Sequence, residues 1–214
     1  MAGEVSLGRQ RAPKYHKGPN MRPYLRVANV FEDRIDTNDI MEMQFGDSEF
    51  EQYRLQPGDI VLNEGQSPAL LGRPALYRGV PENVAFTNSL IRFRPHADVL
   101  PEWALFVFRR HLHAGRFARE ARITTNIAHL SVGRFKKVEF VIPPLDEQER
   151  RVKLLAAILS GITASESSMA TMKRRASRLR SAVLEVAVGG RLVPELGASS
   201  EHPQSEELEF GFMA

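Results

Sequence analysis

One apolar stripe constrains this chain more than any other feature. Leu155, Ile158, Ile162, Ser165, Met169, Met172, Ala176, Leu179, Val183 and Val186 follow one another in alternating steps of three and four residues. Such steps put all of them on a single helical seam. The turn Pro143-Pro144-Leu145-Asp146-Glu147-Gln148-Glu149-Arg150 precedes the stripe, and Gly189-Gly190 followed by Pro194 stops it. At ~1.5 Å of rise per residue, Leu155 to Val186 would span ~45 Å, more than a small core requires. The other faces are charged, with Arg150, Arg151, Lys153, Glu166, Lys173, Arg174, Arg175, Arg178 and Arg180. A seam so narrow needs a second helix, so the segment reads as a coiled-coil-forming spacer for pairing and partner docking. The alternative is an amphipathic helix laid on its own domain. Ser165 and Ala176 suit the seam to close packing or register setting rather than to a strong zipper.

The chain divides into residues 1–144, the long helix at 145–190, and an acidic tail at 191–214 that is expected to be mobile. Before the helix, short strands alternate with turns. Tyr24 to Val30 reads as a strand. Leu55 to Asp59 reads as a turn from which Ile60-Val61-Leu62 leaves, with Ala75-Leu76-Tyr77 returning across a long polar loop. Asn88 to Arg94 is a further strand. Pro101 opens a helix to about Ala121; Ile123 to Ile127 is a polar, β-branched turn. Ala128–Arg134 is a short helix or turn, and Val138 to Ile142 a last strand. The fold class is therefore α+β (mixed α/β), a globular domain followed by one long helix.

Composition removes several functions. No run of about eighteen apolar residues exists, so no membrane span is expected, and the start of the chain lacks a secretory pattern. The chain has no cysteine, which excludes disulfides, thiolate nucleophiles and cysteine-type zinc, and fits a cytoplasmic protein. Neither G-x-x-x-x-G-K-[ST] nor a G-x-G-x-x-G after a strand is present, and no G-x-S-x-G or methyltransferase motif appears. His111 and His113 point apart on a helix, so no metal site is expected from them. Asp59 and Glu64 recur in type among the acids of metal-dependent nucleases, a weaker alternative, since a turn and a loop tip account for them.

Net charge is only +3, but it is uneven. Residues 103–137 carry Arg109, Arg110, Arg116, Arg119, Arg122, Arg134, Lys136 and Lys137 against the single acid Glu120, whereas residues 190–214 carry one basic and five acidic side chains. A local positive field suits the phosphates of duplex DNA, one charge per roughly 1.7 Å; the alternative is a solvated basic face.

Four stretches resemble the DNA-specificity subunit of Type I restriction–modification enzymes. They are Met21 to Val30 (MRPYLRVANV), Leu55 to Leu62 (LQPGDIVL) with Phe86 to Phe93, Thr124 to Leu130 running into Ile142-Pro143-Pro144-Leu145-Asp146-Glu147-Gln148, and Leu179 to Leu184 with Gly190-Arg191-Leu192-Val193-Pro194. The likeness covers roughly residues 5–195. The resemblance implies a target-recognition domain that reads a few base pairs and a helix that sets spacing and holds modification (methyltransferase) subunits. It implies no cofactor on this chain; S-adenosylmethionine and ATP are expected on partner subunits, the latter on a restriction subunit. Family members have two recognition domains and two long helices. This chain has one of each, as a natural half-subunit, a truncated form or a split gene would, which predicts pairing with a second half, as in a homodimer.

On that reading Asn63, Gln66, Ser67 and Arg73 on the polar loop, with Thr124, Thr125, Asn126 and His129, are the candidates for base readout. The alternatives are a plain connection for the loop and a helix cap for Thr125 or Asn126. Lys14, Tyr15, Lys17, Arg116, Arg119, Arg134, Lys136 and Lys137 are the candidates for the DNA backbone. A coiled-coil protein adaptor without DNA specificity is the competing function.

Overall fold

Ile60-Val61-Leu62-Asn63 is buried on both faces, and a strand of that kind must lie inside a sheet covered from two sides. In the computed structural model, which describes residues 2–124 and 127–189, this is what is found. A first compact unit runs to Ala157 and a second begins at Ile158. In chain order the first unit holds β1 (Gly3–Leu7), β2 (Met21–Leu25), β3 (Val30–Phe31), β4 (Arg34–Ile35), β5 (Met41–Gln44), α1 (Asp47–Tyr53) and β6 (Ile60–Asn63). There follow β7 (Gly65–Gln66), β8 (Pro74–Leu76), β9 (Ala85–Phe86), β10 (Leu90–Pro95), α2 (Pro101–His113), α3 (Arg116–Glu120), β11 (Arg122–Thr124), β12 (Ile127–His129) and α4 (Val132–Phe135). The long helix α5 spans Leu145–Val188.

The main sheet has the order β1-β10-β6-β8, antiparallel throughout. Its register sets Phe93 against Ile60 and Ile91 against Leu62. Those four side chains share one face and pack on Trp103, Ala104, Leu105, Phe108 and Leu112 of α2. The alternate residues Val61, Ala75 and Leu90 face the other way, into a core with Leu25, Val30, Tyr77 and Phe86. Strands β5-β2-β9 form a second sheet on that side. The Leu55–Asp59 turn is as read from the sequence. Asp59, 1% exposed, holds Arg94 by two bonds of 2.7 and 2.8 Å and accepts from the Gln56 amide. Burial of a charge demands such pairing.

Several local expectations are corrected. The strand read from Tyr24 to Val30 stops at Leu25, and residues Val27–Asn29 turn in a 3-10 helix. Asn29 causes the break: its carboxamide accepts from Arg26 N and donates to the carbonyls of Asp36 and Asp39. The helix from Pro101 ends at His113, and Gly115, at φ 63°, separates it from α3. Ile123 to Ile127 is not a plain turn, because its ends belong to the paired strands β11 and β12. Val138 to Ile142 is not a strand. Its alternation is real, with Val138 and Phe140 packed on the core. Its carbonyls, however, are taken by α2 side chains: Trp103 Nε1 donates to Val141 O at 3.0 Å and His111 Nε2 to Glu139 O at 2.8 Å. Burial lowers the His111 pKa and so keeps the ring neutral.

Helix α5 begins at Leu145, as the double proline predicts. Gln148 anchors its first turn. It is fully buried, accepts from Leu100 N at 2.9 Å, and donates to Asp98 O at 2.8 Å and Pro143 O at 2.7 Å. Glu147, at the positive helix start, pairs with Arg151 at 2.5 Å and with Arg150, which together hold its pKa below the usual range. The tail at 191–214, expected to be mobile, lies outside the described residues. Replacing Gln148 by Ala should leave Leu100 N and two carbonyls without partners and lower stability by about 2–3 kcal/mol, read as a lower urea midpoint.

Candidate nucleic-acid interface

The polar loop and the threonine-rich segment, distant in sequence, meet in one small sheet of order β11-β12-β7. Gln66 lies opposite Ala128 and Gly65 opposite His129. Leu130 N donates to Glu64 O at 2.8 Å and closes the ladder. The approach is close here: a Cβ on Gly65 would stand 3.1 Å from the His129 ring, which would have to shift to admit it. His129 is exposed, and its Nδ1 lies 3.3 Å from a Glu64 carboxylate oxygen. Gln66 and Ser67 are half-buried, and the Gln66 side-chain oxygen accepts from Ser67 N at 3.1 Å. Thr124 closes β11, whereas Thr125 and Asn126 lie outside the described residues.

Asn63 does not join this surface. The period-2 alternation of β6 turns it to the interior, opposite Leu90, where it is 0% exposed. A base reader must reach solvent, so Asn63 is corrected from reader to core residue. Its backbone instead continues the β6 ladder, Asn63 N to Arg73 O and Gly72 N to Asn63 O. Arg73 is half-buried. Its guanidinium stacks 4.7 Å from the Phe31 ring, which Arg34 also approaches at 4.3 Å. Burial, then Arg34, hold its pKa below the ordinary value.

The backbone candidates separate into committed and uncommitted cations. Arg116 is bound to Glu120 at 2.7 Å and Glu139 at 2.8 Å, and these bonds raise its pKa. It is therefore a structural tie between α3 and the segment after α4. Arg134 donates to the Glu120 carbonyl at 2.7 Å, which places it beside α3 and β11. Arg119, Lys136 and Lys137 are exposed, and no ion pair is found for them among the described residues. Lys14 lies 4.9 Å over the Tyr15 ring, with Arg9 on the same ring at 4.0 Å, and both line a cavity of about 390 Å³; Lys17 is exposed nearby in sequence. Sequence reasoning missed Arg122, exposed and directly opposite His129 in the register, and Phe31 as the aromatic support of Arg73. The strand pairing alone reveals the first; the second needs the β3–β4 hairpin, whose two-residue strands leave little pattern.

The acids considered for a nuclease are accounted for, Asp59 by Arg94 and Glu64 by His129. Among the described residues no group of three or more His, Cys, Asp or Glu side chains is placed to hold a metal ion, and no helix is long and apolar enough to cross a membrane.

The polar loop, the hairpin and the exposed Arg122 meet in one small sheet and form the candidate surface. Residues 10–169 match the family model described as "Type I restriction modification DNA specificity domain", and the chain belongs to that family. It is 24% identical over 180 residues to the type I restriction enzyme EcoKI specificity subunit of Escherichia coli, covering 83% of this chain and 39% of that protein. It is 25% identical over 136 residues to the MjaX specificity subunit of Methanocaldococcus jannaschii, covering 63% and 32%. The chain thus spans well under half the length of these relatives. Among solved structures, the HsdS subunit from Thermoanaerobacter tengcongensis superposes with a TM-score of 0.59 at 20% identity, over 89% of this chain and 43% of that one. A chain from a structure of type I R-M system assembly and conformational transition gives 0.66 at 18% identity, over 87% and 43%. These two likenesses establish a common fold.

Replacing Gln66 by Ala should change the preferred base at one position of a selected duplex pool by about 1–3 kcal/mol of discrimination. Asn63→Ala, at a buried side chain, should leave that preference unchanged in the same selection. Lys136→Ala with Lys137→Ala should weaken binding of all sequences alike and reduce the salt slope by about 2, measured by fluorescence anisotropy over a salt series.

Proposed function

We propose that this chain reads one half of a two-part duplex DNA target and assembles modification subunits along α5. The observation that carries the reading is the joining of loop 64–73 and hairpin 122–129 in a single sheet, where Arg122 stands exposed opposite His129. Base edges are met by the loop and hairpin, while exposed cations hold phosphates and fix register without reading sequence. The chemistry on adenine belongs to modification subunits carrying S-adenosylmethionine, and ATP-driven work to a restriction subunit. The setting is the cytoplasm, and this chain contributes recognition and no catalytic group.

The helix supports a second half of the assembly. Ile158, Ile162, Met169, Met172, Leu179 and Val183 are each about half exposed or more, and Leu155 and Val186 partly so. A two-fold pairing centred on the seam sets Leu155 against Val186, Ile158 against Val183 and Ile162 against Leu179. It sets Met169 against Met172 and the small residues Ser165 and Ala176 against each other. The weak positions match weak positions, as antiparallel pairing of two copies requires. Ser165 tolerates burial there because its hydroxyl donates to Gly161 O at 2.9 Å. Two such copies would present inverted half-sites at a fixed separation.

Sedimentation at micromolar concentration should show a dimer, and Val183→Asp should convert it to a monomer while leaving the globular unit folded. A wild-type monomer would remove the pairing. Random duplex DNA should bind with steep salt dependence; salt-insensitive or absent binding would favour the adaptor.

A further inference from the structure

A carboxylate on a surface that meets DNA works against binding, because phosphates repel it. Glu64 holds such a place, and its backbone is fixed at both ends. Glu64 N donates to Ser89 O at 2.9 Å, and Glu64 O accepts from Leu130 N at 2.8 Å. Along β12 the side chains alternate: Ile127 and His129 are exposed, Ala128 and Leu130 buried. His129 therefore points outward, in one row with Arg122, which stands directly opposite on β11. The third member of that row is Gly65. Having no side chain, it leaves room for the imidazole to lean over it, with Cε1 and Nδ1 each 3.1 Å from the place of a Cβ. Nδ1 is thereby brought to 3.3 Å from the Glu64 carboxylate, and no partner for Nε2 is found among the described residues.

We propose that Glu64 is a positioning residue of the recognition surface: it accepts Nδ1–H of His129, fixes the tautomer, and so presents Nε2 to an exocyclic amino group on a base edge. A neutral imidazole carries one proton, and whichever nitrogen holds it leaves the other an acceptor. A carboxylate only accepts, so it keeps the proton on Nδ1. In the major groove the donors are the amino groups of adenine and cytosine, whereas guanine and thymine offer acceptors alone. A ring held in this way takes adenine or cytosine and rejects guanine and thymine, whose oxygens would meet a lone pair. Without the carboxylate, the ring can turn its proton outward and tolerate all four bases. Arg122 in the same row offsets the negative charge of Glu64, so the row as a whole does not repel the DNA backbone. The inference rests on the DNA-reading function proposed above and names the chemistry of one contact within it.

The full chain should be offered a random duplex pool at about pH 8, above the ordinary imidazole range. It should select an adenine or a cytosine at one position, and His129→Ala should lose that choice. Replacing the selected adenine by unsubstituted purine, or the selected cytosine by pyrimidin-2-one, deletes the amino group alone. That deletion should weaken binding of the wild type about tenfold and of His129→Ala not at all. Glu64→Ala should lose the preference, and Glu64→Gln, whose side-chain oxygen still accepts, should keep it. Heteronuclear NMR of the histidine nitrogens, assigned with His129→Ala, should show the proton on Nδ1 in the wild type and in Glu64→Gln, and both tautomers in Glu64→Ala. A wild-type proton on Nε2 overturns the inference, as does a preference that survives Glu64→Ala. Duplex binding whose base preference ignores His129→Ala overturns it too and leaves DNA recognition standing. A chain without salt-sensitive duplex binding removes both.

Discussion

The burial of β6 on both faces is the constraint on which the rest of the molecule depends. Ile60 and Leu62 commit one face to α2, and Val61 commits the other to the second sheet. A helix laid on the first face then brings Trp103 and His111 to the chain that follows α4. The side-chain donors of α2 hold that chain by its carbonyls where a strand would have used a ladder. The held segment delivers the double proline, and Gln148 returns to the carbonyl of Asp98 and the amide of Leu100 just ahead of α2. The start of α5 is thus fixed by a sequence of contacts that traces back to one strand.

Much of this was legible where a pattern repeats. The seam of α5, its start after Pro144 and the pairing of β6 with β8 follow from period and punctuation, and the structure has them. What was not legible depended on single side chains with distant partners. Asn29 ends a strand by bonding carbonyls seven and ten residues ahead, which no propensity records. Val138 to Ile142 alternates as a strand does, yet its partner is a helix. Asn63 looked like the first residue of an exposed loop, and only the strand register shows it to be the last residue of an interior one.

At the candidate interface the sequence named two segments that the fold brings together, and one side chain, Asn63, that the fold turns inward. Loop 64–73 and hairpin 122–129 were chosen by polarity, and the fold joins them. Charge alone could not say which cations are available. Arg116 and Arg134 lie in the same basic run as Arg119, yet one is held by two carboxylates and the other by a carbonyl. Pairing on this scale depends on three-dimensional neighbours such as Glu139. Arg73 stands between: its guanidinium is stacked on Phe31, which lowers the entropy lost when it engages a partner, while its half-burial limits its reach.

The way loop 64–73 is tied has a consequence for how such a protein acquires new preferences. Asn63 N to Arg73 O and Gly72 N to Asn63 O close the loop at its neck. Leu71 is buried, and Gly72 abuts the Phe117 ring, so the neck is bound into the core. Between these points, Pro68, Ala69 and Leu70 are exposed in a short turn beside α2. Lineages can therefore rewrite the tip as an interchangeable cassette while the scaffold stays put, and drift in target choice costs the molecule little of its integrity.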